Sequence, residues 1–381
     1  MRAPARTRCL RLWQCAAAAL LPPALLLLAL PSAFPSHCLR IALGFLGLGW
    51  CHPTPLPRLH HAFPPPPAFL NDSAFWRAFP CPRSAYTLYL PEGAPAWPAP
   101  PPCAGTLIVT AFFDIGRARW PFLARATGAY LEHAEAVLAL SNPLFLTTSP
   151  DLAPRLAAAR RQRGLMDRTL ILAHDVHCGA GMARLPRAAS AMCSAQATRA
   201  WRLNPYLAVP ERQEPLYNAL MWMKAGLLQA GAALSLPPLA APRSVTWLDL
   251  GCHPPMCAQG VVGAGVCLAP RLGSPGRLRV AQAGATAEGM EEGAAGAAAL
   301  RAGPAAWVRQ HRVVLAGTVF GALRGDVPAL MRAFQDALEA MLAEGVADTD
   351  QSVLFWMYAQ HPELFDAYSV GGDWHRIVSD Y

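Results

Sequence analysis

The segment Thr106-Leu-Ile-Val-Thr-Ala-Phe-Phe113 is short, apolar or β-branched throughout, and closed by Asp114-Ile115-Gly116. That is the pattern of a buried strand. Pro143–Thr147 (with Phe145), Thr169–Ala173, Val245–Asp249 and Val313–Ala316 read the same way. Helical spacing fills the intervals from about Pro121 to Leu140, from Ala153 to Arg163, and from Glu214 to Leu234, where Leu216, Leu220, Met223 and Leu227 share a face. Pro328 to Leu342 is marked as a helix by a proline in its first turn, by Leu330, Phe334, Leu338, Met341 and Leu342, and by Gly345 beyond its end. Thr349 is placed to cap a last helix, Asp350 to Gln360, which Pro362 stops. Strands alternating with helices imply an α/β fold, a mainly parallel sheet flanked by helices on both faces.

Three stretches break the pattern. Between Cys51 and Pro102 there are 15 prolines in 52 positions, a density that no helix or central strand survives. That stretch reads as a stem, though Phe69 to Phe79, with Trp76, is apolar enough to pack back on the domain. From Leu268 to Ala306 the chain is Gly/Ala-rich low complexity and reads mostly as a surface insertion, with only Arg277–Ala281 strand-like. At the start, Arg2, Arg6, Arg8 and Arg11 precede Cys15 to Phe34, which holds no charge, and the first acidic residue is Asp72. An apolar run of about twenty residues matches a bilayer core of roughly 30 Å, and the leading arginines would keep that end cytoplasmic. The reading is a signal anchor; a cleaved signal peptide and a transit peptide are the alternatives. The organisation is therefore a targeting region over 1–50, a stem over 51–105 and a domain over 106–381. The expected location is the Golgi or ER membrane with the domain in the lumen; secreted and plastid locations are the alternatives.

Composition changes this picture in two places. The net charge of +8 is almost all arginine, because Lys224 is the only lysine in the chain. The basic residues are scattered, and the densest run, Arg160, Arg161 and Arg163, reads as a solvated helix face, so no nucleic-acid partner is expected. Eleven cysteines, seven of them after Cys51, suit an oxidising lumen, but their odd count leaves at least one unpaired and no pairing follows from spacing. Asn71-Asp72-Ser73 is a glycosylation sequon.

The candidate chemistry sits at strand and helix ends. Asp249, in Trp247-Leu-Asp-Leu-Gly251, is a carboxylate at the C-terminal end of a strand, where ligands bind in open α/β sheets. It is placed to hold a divalent ion against a departing diphosphate, or simply to make the turn before Gly251. Gly317 and Gly321 follow a strand and either admit a ligand to the backbone or form a turn. Asp350 opens a helix, as a ligand or base or through the helix dipole. Lys224 lies in an apolar helix and either contacts phosphate or extends its ammonium to solvent. His253 between Cys252 and Cys257 suggests zinc, but the spacing favours a disulfide or unrelated thiols. His375 could complete a metal site or lie on the surface. No nucleophile elbow, P-loop or dinucleotide fingerprint is present.

Together, Thr106–Arg117, Pro215-Leu-Tyr-Asn-Ala-Leu-Met-Trp-Met-Lys224, Trp247–Gly251, Ala316-Gly-Thr-Val-Phe-Gly321, Thr349-Asp-Gln-Ser-Val-Leu354 and Pro362-Glu-Leu-Phe-Asp366 resemble the HtrL/YibB family of glycosyltransferase-like proteins. The resemblance spans about Thr106 to Tyr381 apart from the insertion. It implies a GT-A-like nucleotide-diphospho-sugar transferase fold, with a nucleotide-sugar donor and a glycan or glycoconjugate acceptor. Asp249 falls near the position of the metal-binding Asp-x-Asp motif, so Mn2+ or Mg2+ is the implied cofactor. Only one carboxylate stands at that strand end; Asp350 or His375 would supply the other ligand. Asp114 and Arg117 are implied to lie beside the nucleotide, with Lys224 or Arg117 on phosphate, and Asp350 and Gln351 are implied to face the sugar.

Overall fold

The computed structural model describes residues 73–91, 103, 105–120, 124–179, 181–196, 214–236, 239, 242–251, 266–269, 274–282, 302–310, 315–371, 376–377 and 381. All belong to one compact unit, Pro66–Tyr381. The expected membrane segment, the sequon's asparagine, the Cys252–His253–Cys257 group and His375 lie outside the described residues. Among the described residues no helix is long and apolar enough to cross a membrane.

In chain order the elements are α1 (Ser73–Trp76), β1 (Thr87–Tyr89), β2 (Thr106–Phe112), α2 (Thr127–Leu138), β3 (Leu144–Thr148), α3 (Ala153–Gln162), β4 (Thr169–Ala173) and α4 (Leu185–Gln196). They continue with α5 (Pro215–Ala233), β5 (Ser244–Leu248), β6 (Leu278–Gln282), α6 (Pro304–Gln310), β7 (Leu315–Leu323), α7 (Val327–Ala343), α8 (Asp350–Gln360) and β8 (Phe365–Ser369). One mixed sheet runs β1-β4-β3-β2-β5-β7-β6-β8. Strands β4, β3, β2 and β5 are mutually parallel, β7 is antiparallel to both neighbours, and β8 is parallel to β6.

The strands are apolar on both sides because both faces are covered. Along β2, Leu107 and Val109 join the core under α5 and α7, while Ile108 joins the core under α2 and α3. Chain order fixes a further feature: β3 and β4 are laid down to one side of β2, and β5 to the other. The strand order therefore reverses between β2 and β5, the kind of point at whose carboxyl ends α/β sheets bind ligands.

Several expectations are corrected. Arg160 is not on a solvated face but fully buried, at 0% exposure. Its guanidinium donates to the carbonyls of Leu138, Leu140, Asn142 and Leu165 and to Thr169 Oγ1, joining the end of α2 to β4. The glycines expected after the Val313–Ala316 strand lie inside β7, which runs on to Leu323. The strand expected at Arg277–Ala281 is not in a surface insertion; it is β6, an internal, mostly buried strand between β7 and β8. Helix α2 begins at Thr127, later than the apolar pattern implied, and α4 had no clear sequence signal.

Where the Pro-rich stretch is described, it packs on the domain. Phe75, Phe79 and Tyr86 are buried in the α5 core, β1 extends the sheet antiparallel to β4, and Cys81 is bonded to Cys178. A second disulfide joins Cys103 to Cys267, and Cys193 is also disulfide-bonded.

Candidate functional site

A cavity of about 330 Å³ opens at the β2/β5 crevice. One wall is the loop after β2, Phe113 to Arg117, with Arg125, Thr127 and Tyr130 at the start of α2. The floor is Lys224 of α5, Asp249 after β5, Gly317 of β7, and Asp350 and Gln351 of α8. Five segments far apart in sequence thus meet at one place, and the fold positions each of them.

Lys224 is the centre of the floor. Its side chain is 2% exposed, so the reading in which the ammonium reaches solvent is corrected. Nζ donates to Gly317 O at 2.8 Å, and lies 2.9 Å from Asp249 Oδ1 and 2.8 Å from Asp350 Oδ2. The Asp350 contact is at hydrogen-bonding distance but off the line of a good hydrogen bond. The Trp247 ring, 5.3 Å from Nζ, covers a further side, and its Nε1 donates to Asp249 Oδ1 at 2.7 Å. An ammonium has three donors; here three acceptors surround it.

One cation between two carboxylates leaves an excess negative charge in a dry place. Burial pushes the Asp350 carboxyl up from 3.8; Lys224 opposes this and Asp249 adds to it, and the net direction is upward. Burial pulls the other way on Lys224, but Asp249 and then Asp350 outweigh it, and its pKa is raised above 10.5. The two carboxylates differ in access: the side chain of Asp350 is 3% exposed and that of Asp249 is 33% exposed. With Oδ1 of Asp249 occupied, Oδ2 is the oxygen a ligand meets.

The backbone is shaped for this cluster. A Cβ on Gly317 would overlap Asp350 Oδ2, so glycine lets α8 bring its carboxylate against β7. That is a role in building the floor, and it differs from admitting a ligand to the backbone. Asp348, rather than the expected Thr349, fixes the start of α8. Its carboxylate accepts from Thr349 N at 2.8 Å and from Ser352 Oγ at 2.6 Å, while Trp222 Nε1 donates to its carbonyl at 2.7 Å.

The wall is basic and aromatic. Asp114 accepts from Gly116 N at 2.7 Å and from Thr127 Oγ1 at 2.5 Å, which ties the loop after β2 to α2. Gly116, at φ 77°, makes the turn that loop needs. The Arg117 guanidinium carbon lies 4.6 Å from the Trp120 ring centre, 5.3 Å from that of Tyr217 and 5.7 Å from that of Tyr130. Arg125 sits 5.7 Å from the same Tyr130 ring. A Cβ on Gly251 would overlap that ring, so Tyr130 lies against the turn after Asp249.

Of the residues singled out in the sequence, Asp114, Arg117, Lys224, Asp249, Gly317, Asp350 and Gln351 all line this one cavity. Arg125, Tyr130 and Trp247's role as a hydrogen-bond donor were missed. Arg125 and Tyr130 lie in a segment whose only signal was helical spacing. Among the described residues no group of three or more His, Cys, Asp or Glu side chains comes together to hold an ion. The two carboxylates nearest the expected metal position hold the Lys224 ammonium instead. A divalent ion there would meet a fixed like charge a few ångströms away, so the described residues do not fit a Mn2+ or Mg2+ site.

Fold and cavity define an α/β protein with a cavity at the switch point of its sheet. A sequence model of the family described as "Bacterial protein of unknown function (HtrL_YibB)" matches residues 104–259. That span holds Asp114, Arg117, Arg125, Lys224 and Asp249, and ends before Gly317 and Asp350. Protein HtrL of Escherichia coli (strain K12) is 25% identical over 286 residues, covering 72% of this chain and 91% of that protein. No solved structure matches. Both comparisons support a relationship of this chain to the HtrL_YibB family.

Proposed function

We propose that the domain is a GT-A-like glycosyltransferase, moving a sugar from a nucleotide-diphospho-sugar donor to a glycan or other acceptor in the secretory pathway. The observation that carries this reading is the carboxylate–ammonium–carboxylate floor beneath a basic, aromatic wall at the β2/β5 switch point. Such a site has one side for an anionic group and another for a polyhydroxyl group. Two disulfides support an oxidising lumen, and the charge-free run Cys15–Phe34 supports a membrane anchor.

In the reaction, an acceptor oxygen bonds to the anomeric carbon of the donor. The bond from that carbon to the phosphate oxygen breaks, its electron pair leaves on the diphosphate, and the acceptor's proton passes to a base. Asp249 Oδ2 is the accessible oxygen for that proton or for a sugar hydroxyl. Asp350 acts from behind, holding Lys224 and through it the orientation of Asp249, and Gln351 offers its amide to the sugar. A bound divalent ion would supply charge neutralisation at the diphosphate, but no described ligand set holds one.

The test is release of nucleoside diphosphate by the purified protein from a panel of nucleotide sugars, beside Asp249→Asn. Turnover of at least one donor, reduced about 100-fold or more in the variant, is expected for loss of a positioned base. If no donor is consumed, or Asp249→Asn turns over like the unmodified protein, the reading fails.

A glycan- or nucleotide-binding protein that kept the fold is the second reading. The feature favouring it is Lys224, which engages both carboxylates. Donor binding without any turnover above the water background would establish it.

A further inference from the structure

We infer that this cavity takes a nucleoside diphosphate, free or as the sugar donor, through Arg125 and Arg117 and without a divalent cation. The inference rests on the transferase reading and deepens it. In a metal-dependent site, carboxylates hold an ion and the ion holds the diphosphate. Here the chain has put its own cation between the carboxylates, with Lys224 Nζ 2.9 Å from Asp249 and 2.8 Å from Asp350.

The arginines that line the same cavity are Arg125 and Arg117. Arg125 lines the cavity, is half-buried and, among the described residues, pairs with no carboxylate. An arginine held at the edge of a cavity without an acid partner presents a planar set of donors to an anion, the geometry that suits phosphate. Arg117 lies near the same ring: both guanidinium carbons are 5.7 Å from the Tyr130 centre. Tyr130 itself rests on Gly251, two residues beyond Asp249. The pair of guanidiniums is thus anchored next to the carboxylate that faces the ligand. Tyr217, which lines the cavity and packs edge to face on Trp120 at 5.7 Å, offers a ring on which a base can stack.

Charge accounting agrees. Arg117, Arg125 and Lys224 line the cavity against Asp114, Asp249 and Asp350, three cations to three carboxylates. Asp249 and Asp350 are committed to Lys224, and Asp114 to the turn it organises. The arginine side therefore carries the positive potential that a diphosphate needs, and the departing charge after sugar transfer develops toward it.

The experiment is binding of uridine, guanosine, cytidine and adenosine diphosphates, and of pyrophosphate, to the purified full chain. Each is measured by calorimetry in EDTA and again with Mn2+, for the unmodified protein, Arg125→Gln and Arg125→Lys. At least one nucleoside diphosphate is expected to bind equally well with and without metal. Arg125→Gln should weaken it about 10- to 100-fold, the range for charge-assisted hydrogen bonds, with Arg125→Lys in between. Melting temperature should be unchanged, since among the described residues Arg125 holds no ion pair. Binding that requires Mn2+, or that Arg125→Gln leaves untouched, overturns the inference while leaving the transferase reading standing. Pyrophosphate bound as tightly as any nucleotide overturns the nucleoside part. If no nucleotide binds in either condition, the transferase reading itself falls.

Discussion

Replacing Lys224 with methionine removes the ammonium while keeping most of the side chain's volume. Gly317 O, Asp249 Oδ1 and Asp350 Oδ2 all lose the ammonium; Asp249 keeps Trp247 Nε1, and among the described residues the Asp350 carboxyl keeps only the Gln351 backbone N–H. Breaking a buried ion pair on one side costs about 3–5 kcal/mol, because a charge is left stranded. At about 2–4 °C per kcal/mol for a domain somewhat smaller than this one, the melting temperature should fall by roughly 6–20 °C. The charge responsible is mainly that of Asp350, at 3% exposure. Adding Asp350→Asn to Lys224→Met should therefore restore part of the loss, where independent effects would only add. The pH dependence follows from sign. The folded pKa of Asp350 already lies above 3.8, so its contribution is full below 3.8 and is lost as pH rises through the folded value. Without Lys224 that value climbs further, and the variant's deficit should be smallest in acid and widen toward neutrality. Thermal unfolding of the single and double variants between acid and neutral pH decides the matter. A Lys224→Met protein that melts within a degree or two of the unmodified one, or a double variant less stable still, would refute the account of the floor.

Two further outcomes follow from buried polar groups. Arg160→Met takes the guanidinium away from the carbonyls of Leu138, Leu140 and Asn142, while Leu165 O keeps Thr169 Oγ1; it should cost about 3–5 kcal/mol in urea unfolding, whereas Arg155→Met on the exposed face of the same helix should stay within about 0.5 kcal/mol. His174 is packed among Phe79, Tyr86 and Phe113, with Nε2 buried and without a hydrogen bond. Burial lowers its pKa from 6.5, against the opposing pull of Asp175. Its contribution is therefore present above 6.5 and lost as pH falls through the lowered value, by at most about 1.4 kcal/mol per pH unit; His174→Phe should flatten that slope in unfolding midpoints measured at neutral and acid pH.

The strands were legible because a strand buried on both faces carries its signal in five or six consecutive residues. Helix α7 was legible because its apolar stripe, its proline and its terminal glycine all agree. Arg160 was not, since a run of arginines at helical spacing looks the same whether it faces water or an array of carbonyls. For β6 the strand itself was legible at Arg277–Ala281, but its low-complexity surroundings hid its place inside the sheet, which shows only when β7 and β8 pair with it. Gly317 and Gly321 read as glycines that admit a ligand or form a turn, because the close approach of Asp350 that demands Gly317 comes from a helix 33 positions further on.

By itself the sequence determined the alternation of strands and helices, the presence of a single lysine, and carboxylates at one strand end and one helix start. Each of these is local, set by residues within a turn or two of one another. Only the tertiary structure decided that Lys224, Asp249, Gly317 and Asp350 are a single unit, and that Arg125 faces them across a cavity. The physical reason is that buried charges are tolerated only in company. The company is chosen by the order in which β2, β5 and β7 are laid side by side, and no local pattern of residues records that order.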